Sequence, residues 1–313
     1  MHNAYLRYSF KTKRSNHTVF FIKRKSDFNI KNIINKYLIS LLIVGFSQNV
    51  FAHEMWLEPV LFEITKGDKF SAHEKVGQNF KGNKYAYLDS SYEKLNYTIN
   101  DITHPLSPRL GSLPAVQGVI EEEGLLVLSA KTTRSKLTYK DRKIFNKFLK
   151  AEGLEWVSKA HKDRGLPEIG FTEVYRRFPK SLIKVGNGLG KDKALGLDLE
   201  WVALTNPYAA NQDVKDKIKL QLLSQGKPYA DVKVNVFTKI KPDSSKSLTV
   251  AKAKVVHTEH VTDEKGILSL SVKKNSVYLV NAVKMIEPDS DTSDRYNAVW
   301  ESLWASMTFE VPK

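Results

Sequence analysis

Hydrophobic and polar residues alternate in short runs along most of the chain, a pattern typical of β-strands with one buried face. The last run is the clearest, because every second position is apolar: Leu303, Ala305, Met307, Phe309 and Val311. The same alternation places Trp304 on the opposite face of that strand. Polar turn sequences rich in glycine, proline and aspartate separate the runs. The pattern therefore predicts an all-β protein.

One stretch departs from this alternation. Between residues 140 and 163 the apolar residues recur with the spacing of one helix face: Ile144, Phe145, Phe148 and Leu149. Gly153 interrupts this run, and a second apolar series follows it. We predict a helical hairpin that is inserted into a β domain.

The strand pattern favours two β-sandwich domains of immunoglobulin-like or transthyretin-like type. About seven short strands without a helix occupy the last third of the chain, which is enough for one small sandwich. We place the first sandwich at residues 53–210, with the helical insert at about 140–163, and the second at residues 211–313. Residues 1–52 stand apart from both.

Residues 1–52 have the features of a signal peptide. Residues 37–46 form an uncharged apolar run of ten residues, which is shorter than the roughly 20 that span a bilayer but suits a signal-peptide core. Lysines precede the run, and Val50 and Ala52 supply small residues where a signal peptidase reads. We predict cleavage after Ala52 and export of a soluble mature chain. A buried helix or an uncleaved anchor is the alternative.

Charge and composition exclude several classes of function. The formal charge of +15 falls to about +7 once residues 1–52 are removed, because that segment holds nine of the 49 basic residues and one of the 34 acidic residues. A modestly basic surface without a helix-turn-helix pattern gives no reason to expect nucleic-acid binding. The chain has no cysteine, so a thiolate metal site or a cysteine nucleophile is impossible.

Three short stretches resemble one known family. They are AHEMWLEP at residues 52–59, EGLE at residues 152–155 and WESLWASMTFE at residues 300–310. The chain resembles a periplasmic family catalogued as domain-of-unknown-function family 4198. The resemblance implies a periplasmic location, a link to the substrate-specific component of nickel uptake, and a carboxy-terminal half similar to transthyretin-like or carboxypeptidase-regulatory-like sandwiches. Family members often carry histidine where this chain has Lys284.

Cleavage after Ala52 would make His53 the first residue of the mature protein. Its free α-amine and its imidazole Nδ1 could then close a chelate ring, a pair of nitrogen donors that suits Cu(II) or Ni(II). Glu54 adds a carboxylate, and Met55 adds a thioether that favours Cu(I). In the plainer alternative, His53 only marks the end of the signal peptide, and Trp56 and the residue after it begin the core.

Further ligands would have to come from other histidines. His73 is the first candidate, because its strand could run beside the mature amino terminus. His104 lies in a proline-rich loop, and His161 ends the helical insert, where a cationic imidazole would complement the helix terminus. His257 and His260 have odd spacing on a strand and point to opposite faces. The predicted metal ligands are therefore His53, Glu54, Met55 and His73.

These features favour an exported protein that binds nickel or copper in metal uptake or buffering, with a membrane metal transporter as a possible partner. The alternative is a non-catalytic β-sandwich module that binds or adheres to a protein or glycan. No hydrolase, phosphate-binding or zinc-protease motif occurs, so we do not expect an enzyme. An amino-terminal-histidine copper monooxygenase would need a second histidine to complete its site, and only His73 is a reasonable candidate.

Overall fold

Most of the described residues form β-strands, as the alternating pattern predicts. The structure is a computed structural model and describes residues 53–209, 217–241 and 253–313. Within these ranges the strands are, in chain order, β1 Glu54–Pro59, β2 Glu63–Ile64, β3 Lys69–Gln78, β4 Lys81–Tyr85, β5 Tyr92–Ile99, β6 Ile102–Pro105, β7 Val116–Val119, β8 Gly124–Thr132, β9 Ser135–Tyr139, β10 Phe171–Val185, β11 Leu199–Ala203, β12 Lys217–Ser224, β13 Lys227–Pro228, β14 Lys233–Ile240, β15 Lys254–Val261, β16 Ile267–Ser271, β17 Ser276–Ile286 and β18 Ala298–Val311. The helices are α1 Arg142–Glu152, α2 Trp156–Asp163 and α3 Ser290–Tyr296, and a single 3₁₀ turn spans Asp89–Ser91.

The strands form three sheets. The central sheet has the order β15-β14-β17-β18-β10-β8-β5-β6, with β2 and β9 also paired to the long strand β10. The first outer sheet joins β1, β3 and β4, with β7 on β3. The second outer sheet joins β11, β12 and β13, with β16 on β12. Strands β10 and β18 run parallel, whereas β17 is antiparallel to both β14 and β18.

The central sheet is buried on both faces. In β8, Leu125 and Val127 join the core shared with the second outer sheet, whereas Leu126 and Leu128 join the core shared with the first. Successive side chains on a strand point to opposite faces, so this split shows that a core lies on each side. The all-β sandwich prediction is confirmed. The apolar alternate residues of β18 all lie in the core facing the second outer sheet, as predicted.

The predicted domain boundary between residues 210 and 211 lies outside the described residues. On either side of it, the two regions share the central sheet. Strand β10 belongs to the first region and β18 to the second, and they pair over a long register from Thr172 opposite Ala298 to Ser181 opposite Thr308. Contacts group residues from Phe51 to Lys313 into one unit.

The predicted helical hairpin is present as α1 and α2. Asp141 caps the start of α1, because its side chain accepts a hydrogen bond from the backbone N–H of Lys143. Gly153 ends the helix in the left-handed conformation, with φ of 71°, which an L side chain adopts only with strain. The apolar face of α1 is buried through Phe145, Phe148 and Leu149.

The WESLW sequence of β18 attaches this hairpin to the central sheet. Trp300 donates from Nε1 to Nδ1 of His161 at 2.9 Å, and Trp304 stacks on Phe148 at 5.6 Å between ring centroids. The Nε2 of His161 lies 2.9 Å from the Pro167 carbonyl and therefore carries the hydrogen. His161 is fully buried and neutral, so the expectation of a cationic imidazole at this helix end is wrong.

Glu173 is a buried carboxylate beneath the same attachment. It is fully buried and accepts hydrogen bonds from Tyr139 at 2.7 Å and from Ser302. Burial raises its pKa to about 7. A raised carboxylate pKa means that the folded state holds the proton more tightly than the unfolded state between about pH 4.5 and 7.

We therefore expect stability to fall as the pH rises through that window. For Glu173 alone the loss between pH 5 and 7 is about 2 kcal/mol. Urea unfolding at the two pH values, compared between the wild type and Glu173→Gln, measures it, because the glutamine cannot titrate. An equal pH dependence in both proteins would show that Glu173 is ionised throughout.

Candidate functional site

A cavity of about 250 Å³ lies at the amino end of β1, and we call it the amino-terminal pocket. Strand β1, helix α1 and the strands β14 and β15 each contribute to its lining. The polar side chains that line it include Glu54, Glu152, Asn235, His257 and Glu259. These residues lie far apart in the sequence, so only the folded chain brings them together.

Glu54 is the first residue of β1 and is 7% exposed. Its Oε2 atom is buried and has no hydrogen-bond partner among the described residues. Burial raises the pKa of Glu54 to about 7, although the nearby Arg177 guanidinium opposes the shift. A buried carboxylate oxygen without a donor is costly, and such sites are typically stabilised by an ion or water.

Glu152 is the second buried carboxylate of the pocket. It is the last residue of α1 and is also 7% exposed. Its Oε2 accepts a hydrogen bond from Nδ2 of Asn235 at 3.0 Å. Burial and the nearby charge of Glu54 raise its pKa to about 8. The two carboxylates are therefore close enough to repel each other when both are ionised.

A hydrogen-bond chain continues from Glu152 through Asn235 to His257. The Asn235 Nδ2 donates to Glu152, so its Oδ1 accepts from Nε2 of His257 at 2.9 Å. His257 stacks on Phe237, and loss of solvent contact lowers its pKa. The ring is neutral with the hydrogen on Nε2, which leaves Nδ1 as a lone-pair donor. Beside it, Glu259 forms an ion pair with Lys233 at 2.8 Å.

Of the predicted ligands, Glu54 lines this pocket, and His53 directly precedes Glu54 in the chain. His53 is half-buried, and its backbone carbonyl accepts a hydrogen bond from Nη2 of Arg177 at 3.1 Å. Consecutive Cα atoms are about 3.8 Å apart, so an amine created at His53 would lie near the mouth of the pocket. Met55 is buried on the other face of β1, so its thioether does not line the pocket.

His73 does not meet the amino terminus. Strand β3 does pair with β1, as expected, but the register places Glu54 opposite Gly77 and Glu58 opposite His73. At about 3.3 Å per residue, His73 lies about 16 Å along the sheet from the level of His53. The expected pairing of these two histidines is therefore wrong. A copper monooxygenase site that relied on them loses its second histidine.

The remaining histidine positions and Lys284 lie elsewhere. His104 stacks on Tyr97, and His260 contacts the Thr258 hydroxyl through Nε2. Lys284 donates from Nζ to the Ser224 hydroxyl at 2.8 Å. Alternation along β17 places Lys284 on the face of the central sheet opposite the pocket. A histidine at position 284 would not reach the amino-terminal pocket.

Sequence reasoning did not identify most of this pocket. The sequence predicted no role in the pocket for Glu152, which occurred only within the EGLE motif, or for Asn235. It disfavoured His257 as a ligand because of its odd spacing from His260. The EGLE motif was the usable signal, because it supplies both Glu152 and the glycine that ends α1 there. As the side chains are placed, no three His, Asp or Glu residues of the described ranges are grouped closely enough to hold a metal ion. None of the described helices is long and apolar enough to cross a membrane.

The fold and the pocket define an all-β protein of packed sandwiches with an acidic pocket at the start of its first strand. The family model described as "Domain of unknown function (DUF4198)" matches residues 50–285, and the chain belongs to this family. The match includes the first two resembling stretches and ends before Trp300. A search of the curated proteins finds no match.

Proposed function

We propose that the mature protein binds a divalent transition-metal ion, nickel or copper, at the amino-terminal pocket. The ligands are the α-amine and imidazole of His53, created by cleavage after Ala52, together with the carboxylates of Glu54 and Glu152. The role of this binding is metal uptake or buffering.

The unpartnered Oε2 of Glu54 carries the proposal. It is buried, lies beside a second buried carboxylate and belongs to the residue directly after His53. Burial raises the pKa of both carboxylates, and the charge of Glu54 adds to the shift of Glu152, which creates a site whose electrostatic cost a cation would relieve. Two nitrogen donors and two carboxylate oxygens form a mixed set that suits Ni(II) and Cu(II).

The compartment and the partner are part of the same proposal. The basic segment and apolar run of residues 1–52 support export to the periplasm. The membership of the family is consistent with the link to nickel uptake and with a transthyretin-like carboxy-terminal half, which we propose for this chain as well. A membrane metal transporter is the partner that this role requires.

The test removes the carboxylate charge of Glu54 without changing its size. The mature protein, beginning at His53, is titrated calorimetrically with Ni(II) and Cu(II). We expect Glu54→Gln to weaken binding at least about tenfold, the scale on which metal-site partners act. Glu58→Gln is the matched control, because Glu58 lies on the same face of β1 but already accepts hydrogen bonds from Trp56, Lys75 and Lys239.

The control should bind metal with the wild-type affinity. If Glu54→Gln also binds as the wild type does, the carboxylate is not a ligand and the proposed site is wrong. If the wild type itself binds neither metal, the metal-binding function fails as a whole.

A second candidate function is a non-catalytic binding module. Strand β15 is the edge of the central sheet, and Val261 at its end is 62% exposed. An exposed edge can take up an extended peptide as an additional strand. Failure of every first-row metal to raise the melting temperature would favour this class.

A further inference from the structure

Asn281 is a buried amide whose hydrogen-bonding groups are unused among the described residues. It lies in the middle of β17 and is 1% exposed. Neither Nδ2 nor Oδ1 has a partner in the described part of the chain. Leaving a buried polar group without a partner is destabilising, so a purely structural role does not explain it.

Alternation along β17 shows what Asn281 faces. Leu279 packs in the cluster around Trp56 of β1, and Val283 packs in the cluster formed with the helical hairpin. Asn281 lies between them on the same face of the strand. It therefore sits where β1 meets α1, which is where Glu54 and the end of α1 line the pocket.

The neighbours of Asn281 across the sheet place it beneath the pocket. The register sets it opposite Asn235 on β14 and opposite Ser306 on β18. Directly opposed side chains have Cβ atoms about 4.5–5.5 Å apart. Asn235 lines the pocket and binds Glu152, while Ser306 donates to the carbonyl of Met55 at 2.6 Å. Asn281 thus has a pocket-lining residue on one side and, on the other, a serine that is bonded to the backbone of β1.

We infer that Asn281, which lies next to Asn235 and beneath the pocket lining, holds a water molecule carried by the bound cation, an inference that rests on the proposed function. The amide offers a donor and an acceptor, and a water can use both, whereas a bare cation uses only the oxygen. The Oε2 of Glu54 is a second acceptor for the same water, and buried waters need two to four polar partners. The occupant is then an aquated divalent cation.

The test compares stability without metal and affinity for Ni(II) in the mature chain. We expect Asn281→Leu to bind Ni(II) at least about tenfold more weakly while its melting temperature without metal stays equal or rises, because an unsatisfied buried group has been removed. Tyr278→Phe is the control from the other face of β17, and it should lose stability without losing affinity for Ni(II).

Each other outcome overturns the inference in a recognisable way. Wild-type affinity in Asn281→Leu would remove Asn281 from the pocket and leave metal binding intact. A lower melting temperature of metal-free Asn281→Leu would assign Asn281 a structural role. Absence of a Ni(II) response in the wild type would end the proposed function and the inference together.

Discussion

Replacing Lys180 by methionine is expected to cost about 3–5 kcal/mol of unfolding free energy, the range measured when one partner of a buried ion pair is removed. Lys180 is fully buried, and its Nζ donates to both carboxylate oxygens of Asp192, at 2.8 and 3.0 Å, and to Glu200 at 3.1 Å. Methionine keeps most of the aliphatic stem but removes the charge. Two buried carboxylates would then lack their shared cation.

The same cluster also fixes backbone positions, which adds to the expected loss. Asp192 accepts from the N–H of Ala203 at 2.8 Å, and Glu200 accepts from the N–H of Leu195 at 2.7 Å. The cluster therefore ties the segment before β11 to strand β10. The chain has no cysteine and therefore no disulfide, so hydrogen bonds and ion pairs are the polar interactions that can hold this segment in place.

Lys184→Met is the matched control for this prediction. Lys184 lies four residues further along β10 and pairs with Glu63 at 3.1 Å, but both side chains are partly exposed. Exposed pairs contribute between 0 and about 1 kcal/mol. The test is to measure the free energy of unfolding of both variants in urea. Equal, small decreases in the two variants would mean that water reaches the Lys180 cluster.

The mature protein beginning at His53 is expected to bind Ni(II) or Cu(II) about a hundredfold more tightly than the same chain with its His53 α-amine acetylated, a difference of about 2.7 kcal/mol. After acetylation, the nitrogen of His53 is an amide and no longer a basic donor. The five-atom link between amine and imidazole then cannot close a chelate ring, and only the imidazole remains.

Calorimetric titration of the two forms measures this difference. Their melting temperatures without metal should agree, because the acetyl group lies before the first described strand. Mature His53→Ala provides a second control, since it keeps the amine and lacks the imidazole. Equal affinities of the acetylated and unacetylated forms would eliminate the chelate, as would mass spectrometry that finds a different first residue in the exported protein.

Local sequence patterns were sufficient for the elements of the fold. The period of two in β18 and the helical spacing around Phe145 both survive in the structure, because each pattern reflects which face of one element is buried. The position of Trp304 opposite Leu303 followed from the same periodicity. Its stacking partner Phe148 did not, because alternation says which face a residue occupies and nothing about what covers that face.

Register explains where the prediction of the site failed. Strand β3 was expected beside the mature amino terminus, and it is there, but its pairing with β1 carries His73 opposite Glu58. The prediction of Met55 as a ligand is wrong for a related reason, because Met55 alternates with Glu54 along β1 and points away from the pocket. A register cannot be read from one strand, because it depends on turns and on the burial of both partners.

The sequence by itself determined the all-β class, the helical hairpin and the acidic residue that follows His53 at the start of the predicted mature chain. These are local properties, encoded in the spacing of apolar residues and in adjacent side chains. Only the tertiary structure decided that Glu54, Glu152 and Asn235 line one pocket. Glu54 and Asn235 are 181 residues apart in the chain, and such long-range contacts are selected by the burial of whole faces and not by any local pattern.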